Sequence, residues 1–573
     1  MKFLPRAMAL LFGAAAAAVG CRAPLPKETK VSIDTPVTFT DIAREAGIVF
    51  DHVNGARGAK RMPETVGSGV AFLDYDNDGD QDLLVLSSCS WPDDPKPKRA
   101  TPRLYANNGH GAFSDVTKAS GLDISFYAMG VAAGDFDNDG WQDLYLTAVG
   151  PNRLMRNRNG RFEDVTQAAG VAGVPPTGVA LAHKWSSGAA WVDIDNDGLI
   201  DLFVCQYVKW SPKLDPFCGK NGVRGYCPPG TFEGARNTLY RNLGGGRFAD
   251  VSKAYGLFDC AVGKSFGIAL YDADGDDWID IAVSNDTWAN FLFHNEGGKF
   301  LRETGVEAGI AFAENGRAKA GMGIDVADYR NDGSWGMVIG NFAEEGLSLF
   351  EPMPGMAGMY ENQAQTRGLV SPSMLSVTFA TFFLDYDLDG WQDIFATNGH
   401  VDDIVNTYKS NLTFRQLPHL FRNDKGTRFV ESSKESGLDF RLVGRGAAAG
   451  DIDGDGDPDL AIVDNGGRFR LLRNDGGSQR NWVRFKLRGS KVNRDAIGAV
   501  VTLRAGGLSQ RRIVRSGGGF LSENERAATF GLDRIDAIDS VTVRWPGGAT
   551  QSFGGVAARK THLIVEGKDL ETQ

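Results

Sequence analysis

Past its first twenty residues this 573-residue chain has no apolar run long enough to cross a bilayer as a helix, which excludes a multi-span helical membrane protein. It has no surplus of basic residues either. Against 72 Asp and Glu stand 61 Lys and Arg, a formal charge of −11, whereas a nucleic-acid backbone is bound by the opposite balance. Histidine is scarce, seven in all and scattered, with no His-Glu-x-x-His pair for zinc, and there is no Gly-x-x-x-x-Gly-Lys loop for phosphate. Common sequence marks of metallopeptidases and nucleotide-binding enzymes are thus missing. Cysteine is scarce too, at six. What the chain has in excess is glycine, 73 residues against an average usage of about 7%, so many tight turns are expected. At this length a single ordinary core is excluded, and several domains or one large repeat array must carry the fold.

Lys2 and Arg6 precede an apolar run from Ala7 to Val19, the charged-then-hydrophobic order of an export signal and too short for a membrane span. The run ends in Ala18-Val19-Gly20-Cys21, which resembles the bacterial lipobox, with Ala18 where Leu is usual. That resemblance implies cleavage before Cys21 and lipidation of the cysteine. Residues 1–20 are expected to be a lipoprotein signal peptide and 21–36 a flexible linker, with Arg22 pointing to the outer membrane of a bacterial cell envelope. The lipid is the only membrane attachment expected. Export favours disulfides, and Cys218 and Cys227, in one short Pro- and Gly-rich stretch, are the expected pair. The sequence does not pair Cys89, Cys205 and Cys260.

One signature recurs: Asp at positions one, three and five, Gly at six, Asp at nine. Full copies are Asp74, Asp76, Asp78, Gly79, Asp82; then Asp135, Asp137, Asp139, Gly140, Asp143; and Asp193, Asp195, Asp197, Gly198, Asp201. Two more are Asp385, Asp387, Asp389, Gly390, Asp393 and Asp451, Asp453, Asp455, Gly456, Asp459. A sixth, Asp272, Asp274, Asp276 and Asp280, has Asp277 in place of the glycine, and a seventh, from Asp328, has Arg330 at position three and Gly336 at nine. Successive copies start 56 to 79 residues apart, the period of a supersecondary unit. The longest gap holds Trp210 to Gly234, an insertion that contains Cys218 and Cys227.

Each period reads as four strands. A Gly-containing apolar run (Gly69 to Leu73) precedes the loop, and a β-rich run (Leu83 to Leu86) follows it. A third element reads Leu104-Tyr105-Ala106-Asn107, with counterparts ending in Asn157, Asn242, Asn295, Asn362, Asn423 and Asn474, and a fourth reads Phe-x-Asp-Val, as from Phe113 to Val116. A lone four-stranded sheet cannot bury its faces, so seven such units predict a radial array, an all-β seven-bladed β-propeller over residues 37–478. The last period lacks its fourth element, and an orphan copy, Phe39-Thr40-Asp41-Ile42, stands at the other end. The N-terminal strand is therefore expected to complete the last blade and close the ring, since an open ring would leave sheet edges unpaired.

Alternating carboxylates on a nine-residue loop turned by glycine suit a hard cation with oxygen ligands. The expected cofactor is Ca²⁺, held structurally by the 24 aspartates of six loops, while the loop of Arg330 and Gly336 is expected to bind weakly or not at all. Loss of Lys2 and Arg6 with the signal would take the charge from −11 to −13, and six divalent ions would return +12.

These residues resemble the FG-GAP or VCBS repeats of integrin α-type propellers, and the whole chain resembles bacterial members of the cartilage acidic protein family. Residues 479–573, with Asn493 to Ala499, Gly517 to Ser522, Phe530-Gly531-Leu532 and Trp545 to Gly548, are similar to the small β-rich ASPIC/UnbV domain. The resemblance implies calcium binding and extracellular contact, without naming a ligand.

Five residues past position nine, each second strand should end on one face of the ring. Gln206, Asn285, Asn341, Asn398 and Asp464 stand there, and with Asp286 and His400 they are expected to form a hydrogen-bonding rim for a glycan or protein ligand. The function expected is recognition or adhesion rather than catalysis. The alternatives are an envelope assembly scaffold and an enzyme working at the mouth of the channel.

Overall fold

The computed structural model describes residues 37–173, 185–220 and 223–572; the expected signal peptide, linker and Cys21 lie outside the described residues. Each sequence period folds as one antiparallel four-stranded sheet. Six sheets are continuous, over residues 70–115, 128–164, 186–250, 265–303, 324–362 and 378–431, named blades 1 to 6. Blade 7 joins Gly444–Gly450, Asp459–Asp464 and Arg470–Asn474 to Phe39–Asp41 from the other end of the chain, with Phe39 opposite Asn474. The first strand of each blade lies against that of the next, and that of blade 7 against that of blade 1, so the sheets form a closed β-propeller.

Side chains alternate across each strand, so every blade buries one set against each neighbour. Val70, Phe72 and Leu83 of blade 1 pack on Ala448, Ala461 and Leu471 of blade 7, while Ala71, Leu84 and Leu104 pack on Val131, Leu144 and Leu146 of blade 2. With both faces buried, the first two strands of each blade are buried nearly throughout, while strand four, as in Phe113–Asp115, turns polar residues to solvent.

The recurrent third-strand asparagine works between blades. Asn157 Nδ2 donates to Tyr75 O of blade 1 at 2.7 Å, Asn242 to Phe136 O of blade 2 at 2.8 Å, and Asn295 to Ile194 O of blade 3 at 2.9 Å. Asn107 makes the same bond to Ile452 O of blade 7, at 2.8 Å, across the point of ring closure. Blade 5 departs from the expected pattern. Its third strand is Ser348–Pro352, and Asn362, expected on strand three, ends the fourth strand Tyr360–Asn362. The register gives the reason: Tyr360 N donates to Ala308 O as Phe113 N does to Ala46 O, and Asn362 Oδ1 accepts Ala364 N–H as Asp115 Oδ1 accepts Thr117 N–H, so these residues are the Phe-x-Asp element of strand four and not the third-strand motif.

The C-terminal domain is two four-stranded sheets. One centres on Asn481–Arg488, antiparallel to Ala528–Asp533 and parallel to Thr561–Val565; the other centres on Val500–Ala505 between Leu508–Ile513 and Ser540–Arg544. Phe485, Val501, Leu503, Phe530, Val543 and Trp545 fill the space between them. From this domain the segment 517–523 enters the centre of the propeller. Ile324 N donates to Gly519 O at 3.2 Å, Val131 N to Leu521 O at 3.1 Å, and Phe72 N to Glu523 O at 3.1 Å. A side chain at Gly69 would sit 1.7 Å from Leu521 O, which explains the glycine before the first strand of blade 1. Phe520 is fully buried, its ring 5.3 Å from that of Phe266 and 5.1 Å from that of Phe379. The channel is thus plugged from one side.

The interblade bond gives a measurable difference. Asn157→Ala removes two buried donors, to Tyr75 O and Gln142 O, and strands both carbonyls; it should lower the unfolding free energy by about 2–3 kcal/mol. Asn362→Ala, which removes no interblade bond, should lose less than half of that in the same denaturant titration.

Candidate functional site

The acidic loops all join strand one to strand two and so share one face of the ring. In each of the six loops with Asp at position nine, that residue accepts two backbone N–H groups: Asp82 Oδ2 from Tyr75 and Oδ1 from Asn107, both at 2.9 Å; Asp143 from Phe136 at 3.2 Å and Asn157 at 2.6 Å. Asp201, Asp280, Asp393 and Asp459 repeat the pattern. Position one accepts the N–H of position six, as Gly79 to Asp74 Oδ2 at 3.1 Å, and in the sixth loop Asp277 does this with a φ of 72° where other loops have glycine. The loops are thus folded by their carboxylates.

Oxygens are left over. Asp74 Oδ1, Asp76 Oδ1, Asp137 Oδ1, Asp195 Oδ1, Asp385 Oδ1 and Asp453 Oδ1 are buried without a hydrogen-bond partner. In Asp74, Asp76 and Asp82, in Asp135, Asp137 and Asp143, in Asp193, Asp195 and Asp197, and in Asp272, Asp274 and Asp276, carboxylate oxygens lie within 4.8 Å of one another. Burial pushes Asp82 up to about 8, Asp143 to about 9 and Asp201 to about 8. Buried, orphaned oxygens converging on one point fit a divalent cation. Asp78, Asp139, Asp389 and Asp455 complete the expected sets at position five of their loops. In blade 5 the guanidinium of Arg330 reaches Asp332 at 3.0 Å and Glu351 at 2.6 Å, so a side-chain cation takes up the loop's charge.

Arginine also serves the other loops. Arg156 pairs with Asp137 and Asp139, and Arg241 with Asp195 and Asp197. Blade 4 has His294 at that seat, its Nδ1 3.2 Å from Asp280 and 3.5 Å from Asp274, a group of three with the composition of a metal site. The sequence reading missed His294, though its place before the third-strand asparagine marked it.

The C-terminal domain covers this face and brings a polar group to each of the seven loops. Lys486 donates to Gly79 O at 2.7 Å, Arg494 N to Asn138 Oδ1 at 3.0 Å, and Lys491 and Val492 lie beside Asp197 and Gly198. Arg544 pairs with Asp272 at 3.1 Å and with Asp277, Arg511 donates to Gly333 O, Arg480 pairs with Asp387 at 3.0 Å, and buried Arg484 binds Asp451 and Glu525.

The opposite face holds a cavity of about 350 Å³, blind because Phe266, Met322 and Phe379 at its floor rest on the plug. Its walls are mainly apolar and aromatic, with Tyr207, Tyr226, Phe342 and Tyr408 among them, and Asp286, His400, Glu345, Asp402 and Lys409 supply charge and polarity. Cys227 and Pro228 of the insertion also line it, and the Cys218–Cys227 disulfide is formed.

Of the seven rim residues expected from sequence, only Asp286 and His400 line this cavity. The other five are spent on bonds within the protein, four of them inside their own blades. Gln206 Nε2 donates to Ser186 Oγ at 3.1 Å, Asn285 Nδ2 to Ala289 O at 2.7 Å, Asn341 Nδ2 to Gly346 O at 2.7 Å and Asn398 Nδ2 to Leu417 O at 2.7 Å. Asp464 accepts Val443 N–H at 2.9 Å and pairs with Arg415. Each of the five is at most 2% exposed, because the end of strand two must cap the turn that follows it.

Family models match residues 74–146, 135–204 and 385–462 as FG-GAP-like repeats and residues 489–571 as ASPIC and UnbV. The chain carries FG-GAP-like repeats and an ASPIC and UnbV domain. Cartilage acidic protein 1 of Mus musculus is 27% identical over 521 residues, 88% of this chain and 74% of that protein; its Homo sapiens counterpart is 27% identical over 88% and 72%. Among solved structures, an Agrocybe aegerita lectin recognising non-reducing terminal N-acetylglucosamine superposes with a TM-score of 0.37 at 14% identity, covering 68% of this chain and 94% of the lectin. The rhamnogalacturonan lyase YesW does so with a TM-score of 0.35 at 12% identity, covering 76% and 75%.

Within this FG-GAP propeller, Gly263-Lys264-Ser265-Phe266-Gly267 has the spacing of a nucleophile elbow, but Ser265 is fully buried in strand one of blade 4 and its Oγ donates to Asn285 Oδ1 at 2.8 Å. Among the described residues its hydroxyl is hydrogen-bonded to no His, Asp, Glu or Lys side chain. His52 sits deep in the ring, Nδ1 accepting from Gly466 N at 3.1 Å and Nε2–H donating to Ser68 Oγ at 2.8 Å. Burial lowers it to about 3, with Arg445 adding to the effect.

Since the folded value of His52 lies below the unfolded 6.5, its contribution is complete above pH 6.5 and is lost as pH falls from there toward 3, at up to about 1.4 kcal/mol per pH unit. His52→Gln should flatten the decline of melting temperature between pH 6.5 and 4.5 relative to the wild type. Equal slopes in a pH series of thermal melts would refute the assignment.

Proposed function

We propose that this is an exported, calcium-loaded recognition propeller, lipid-anchored through Cys21 in a bacterial envelope, that captures an extracellular glycan or protein in the blind cavity on the face away from its acidic loops. The single observation behind this reading is the division of labour between faces. Every metal-type loop lies beneath the C-terminal domain, while the opposite face keeps an open cavity of about 350 Å³, within the size range of small-ligand sites.

Calcium would be held by Asp74, Asp76, Asp78 and Asp82 and their equivalents in five other loops, neutralising carboxylates that the ring forces together. Occupation would be structural, at dissociation constants of about 0.1–1 mM. The cavity residues would then bind without reacting. His400 accepts Asp402 N–H through Nδ1 at 3.0 Å and is held neutral, at about 4, by burial, so it offers a hydrogen-bond donor rather than a titrating acid near neutral pH. No helix of the described residues is long and apolar enough to cross a membrane.

Calcium titrated calorimetrically into the chelator-stripped protein should bind and raise its melting temperature. Asp74→Ala with Asp76→Ala should remove one site, and Asp332→Ala none; absence of millimolar binding ends the calcium reading. Recognition is tested separately on a glycan and peptide array. Val401→Trp, which fills the cavity mouth, should abolish capture and leave the calcium-dependent melt unchanged. Capture that survives this substitution places recognition elsewhere.

A further inference from the structure

The cavity has a definite charge. Asp286, Asp402 and Glu345 line it, and the one lysine in its wall, Lys409, is tied to Glu344 at 2.6 Å. Asp402 is already engaged, its Oδ2 accepting Tyr408 O–H at 2.7 Å and its Oδ1 accepting Ile404 N–H at 3.3 Å. Glu345 accepts Ala320 N–H at 2.9 Å. Asp286 is different. It is 8% exposed, its Oδ2 accepts Tyr207 O–H at 2.5 Å, and its Oδ1 has no partner among the described residues. Lys264 is nearby, but its ammonium donates to Pro229 O at 2.8 Å and forms no ion pair with Asp286. A carboxylate so placed is costly to bury unless a cation completes it.

Arg445 is a second buried cation behind the wall, and its geometry turns it away. Its guanidinium donates to Thr65 O at 2.6 Å, Gly444 O at 2.7 Å and Gly399 O at 3.0 Å, and stacks on Phe379 at 3.8 Å, behind the cavity wall. The remaining walls mix aliphatic side chains such as Val66, Met322 and Val401 with aromatic rings, which attract cations and apolar stems alike. An anion would meet three carboxylates, and a neutral polyol would find few free partners among so many rings.

We infer that the cavity takes an organic cation, an ammonium or guanidinium group on an apolar stem, with Asp286 as its counter-charge and the rings of Tyr207, Phe266 and Phe342 as its walls. This rests on the cavity being the recognition site. The same chemistry is offered by a free small amine and by a lysine or arginine side chain of an extended peptide. Tyr408 of the wall is 57% exposed, so the cavity opens to solvent where the backbone bearing such a side chain would lie.

The test uses the full chain with calcium and calorimetric titration of choline, its neutral isostere 3,3-dimethylbutanol, Nα-acetyl-lysine amide, and the peptide Gly-Ser-Lys-Ser-Gly. Choline should bind at least ten-fold more tightly than the isostere, and Asp286→Asn should weaken it at least ten-fold with the calcium-dependent melt unchanged. A peptide tighter than lysine amide identifies a protein-borne side chain as the source, and the reverse a free amine; either supports the inference. Equal binding of choline and its isostere overturns it, and that comparison needs no variant. Failure of every cation while Val401→Trp still abolishes array capture also overturns it and leaves the recognition reading standing, whereas capture that survives Val401→Trp sinks both.

Discussion

The ninth-position aspartate of six loops holds two pieces of backbone directly and a third through the strand-three asparagine, and the ring depends on it. Asp143, for instance, takes the N–H of Phe136 from its own loop and the N–H of Asn157 from strand three, which places the Asn157 amide to bond Tyr75 O in the preceding blade. A local turn is thereby tied to a neighbouring sheet. Each such buried bond is worth about 1 kcal/mol net, but leaving one partner unmatched costs more. The substitution of Gly336 in blade 5 shows the dependence, since there the asparagine is absent from strand three and the Tyr271 and Tyr360 hydroxyls meet at 2.9 Å instead.

The same carboxylates create the molecule's largest electrostatic problem. Loops built from four aspartates crowd one face, and burial drives several of them toward the neutral form. The fold answers with cations of different kinds: arginines of strand three, Arg330 inside its own loop, and the basic residues of the C-terminal domain. The orphaned oxygens on Asp74, Asp76 and their equivalents are what these side chains do not reach. Side-chain cations therefore leave separate oxygens of each site free, and a metal would use those. In Asp385 the Oδ2 faces Gly390 and Gly531 N–H while Oδ1 stays free.

Much of this was legible in the sequence because it repeats. The loop signature, the four-strand period, the Phe39 to Ile42 strand and the Cys218–Cys227 pair depend on local spacing, and spacing survives in one dimension. The cavity opposite the loops did not read out in the same way. Counting along strand two found Asn285 and Asn398, which are polar because turns must be capped, whereas Tyr207, Phe266, Phe342 and Phe379 come together only when four blades meet. Met62 and Val66 reach the same space from a 3₁₀ turn and its end, in a segment with no repeat to mark it. The plug was equally hidden, since Gly517 to Ser522 was visible as a motif but nothing in one dimension says that it enters the ring.

That plug decides which end of the channel keeps a cavity. A propeller channel open at both ends is a water-filled pore, and its walls compete with solvent for any ligand. Phe520 closes one end and carries the aromatic lining through to Phe266 and Phe379, so the other end becomes a pocket with a dry floor. In such a floor a single incomplete carboxylate matters more than many at the rim, because the attraction it exerts is screened least where water is excluded. The C-terminal domain thus shapes the cavity without lining it. Its arginines hold it to the loop face, and by holding it there they keep Phe520 beneath the aromatic walls around Asp286.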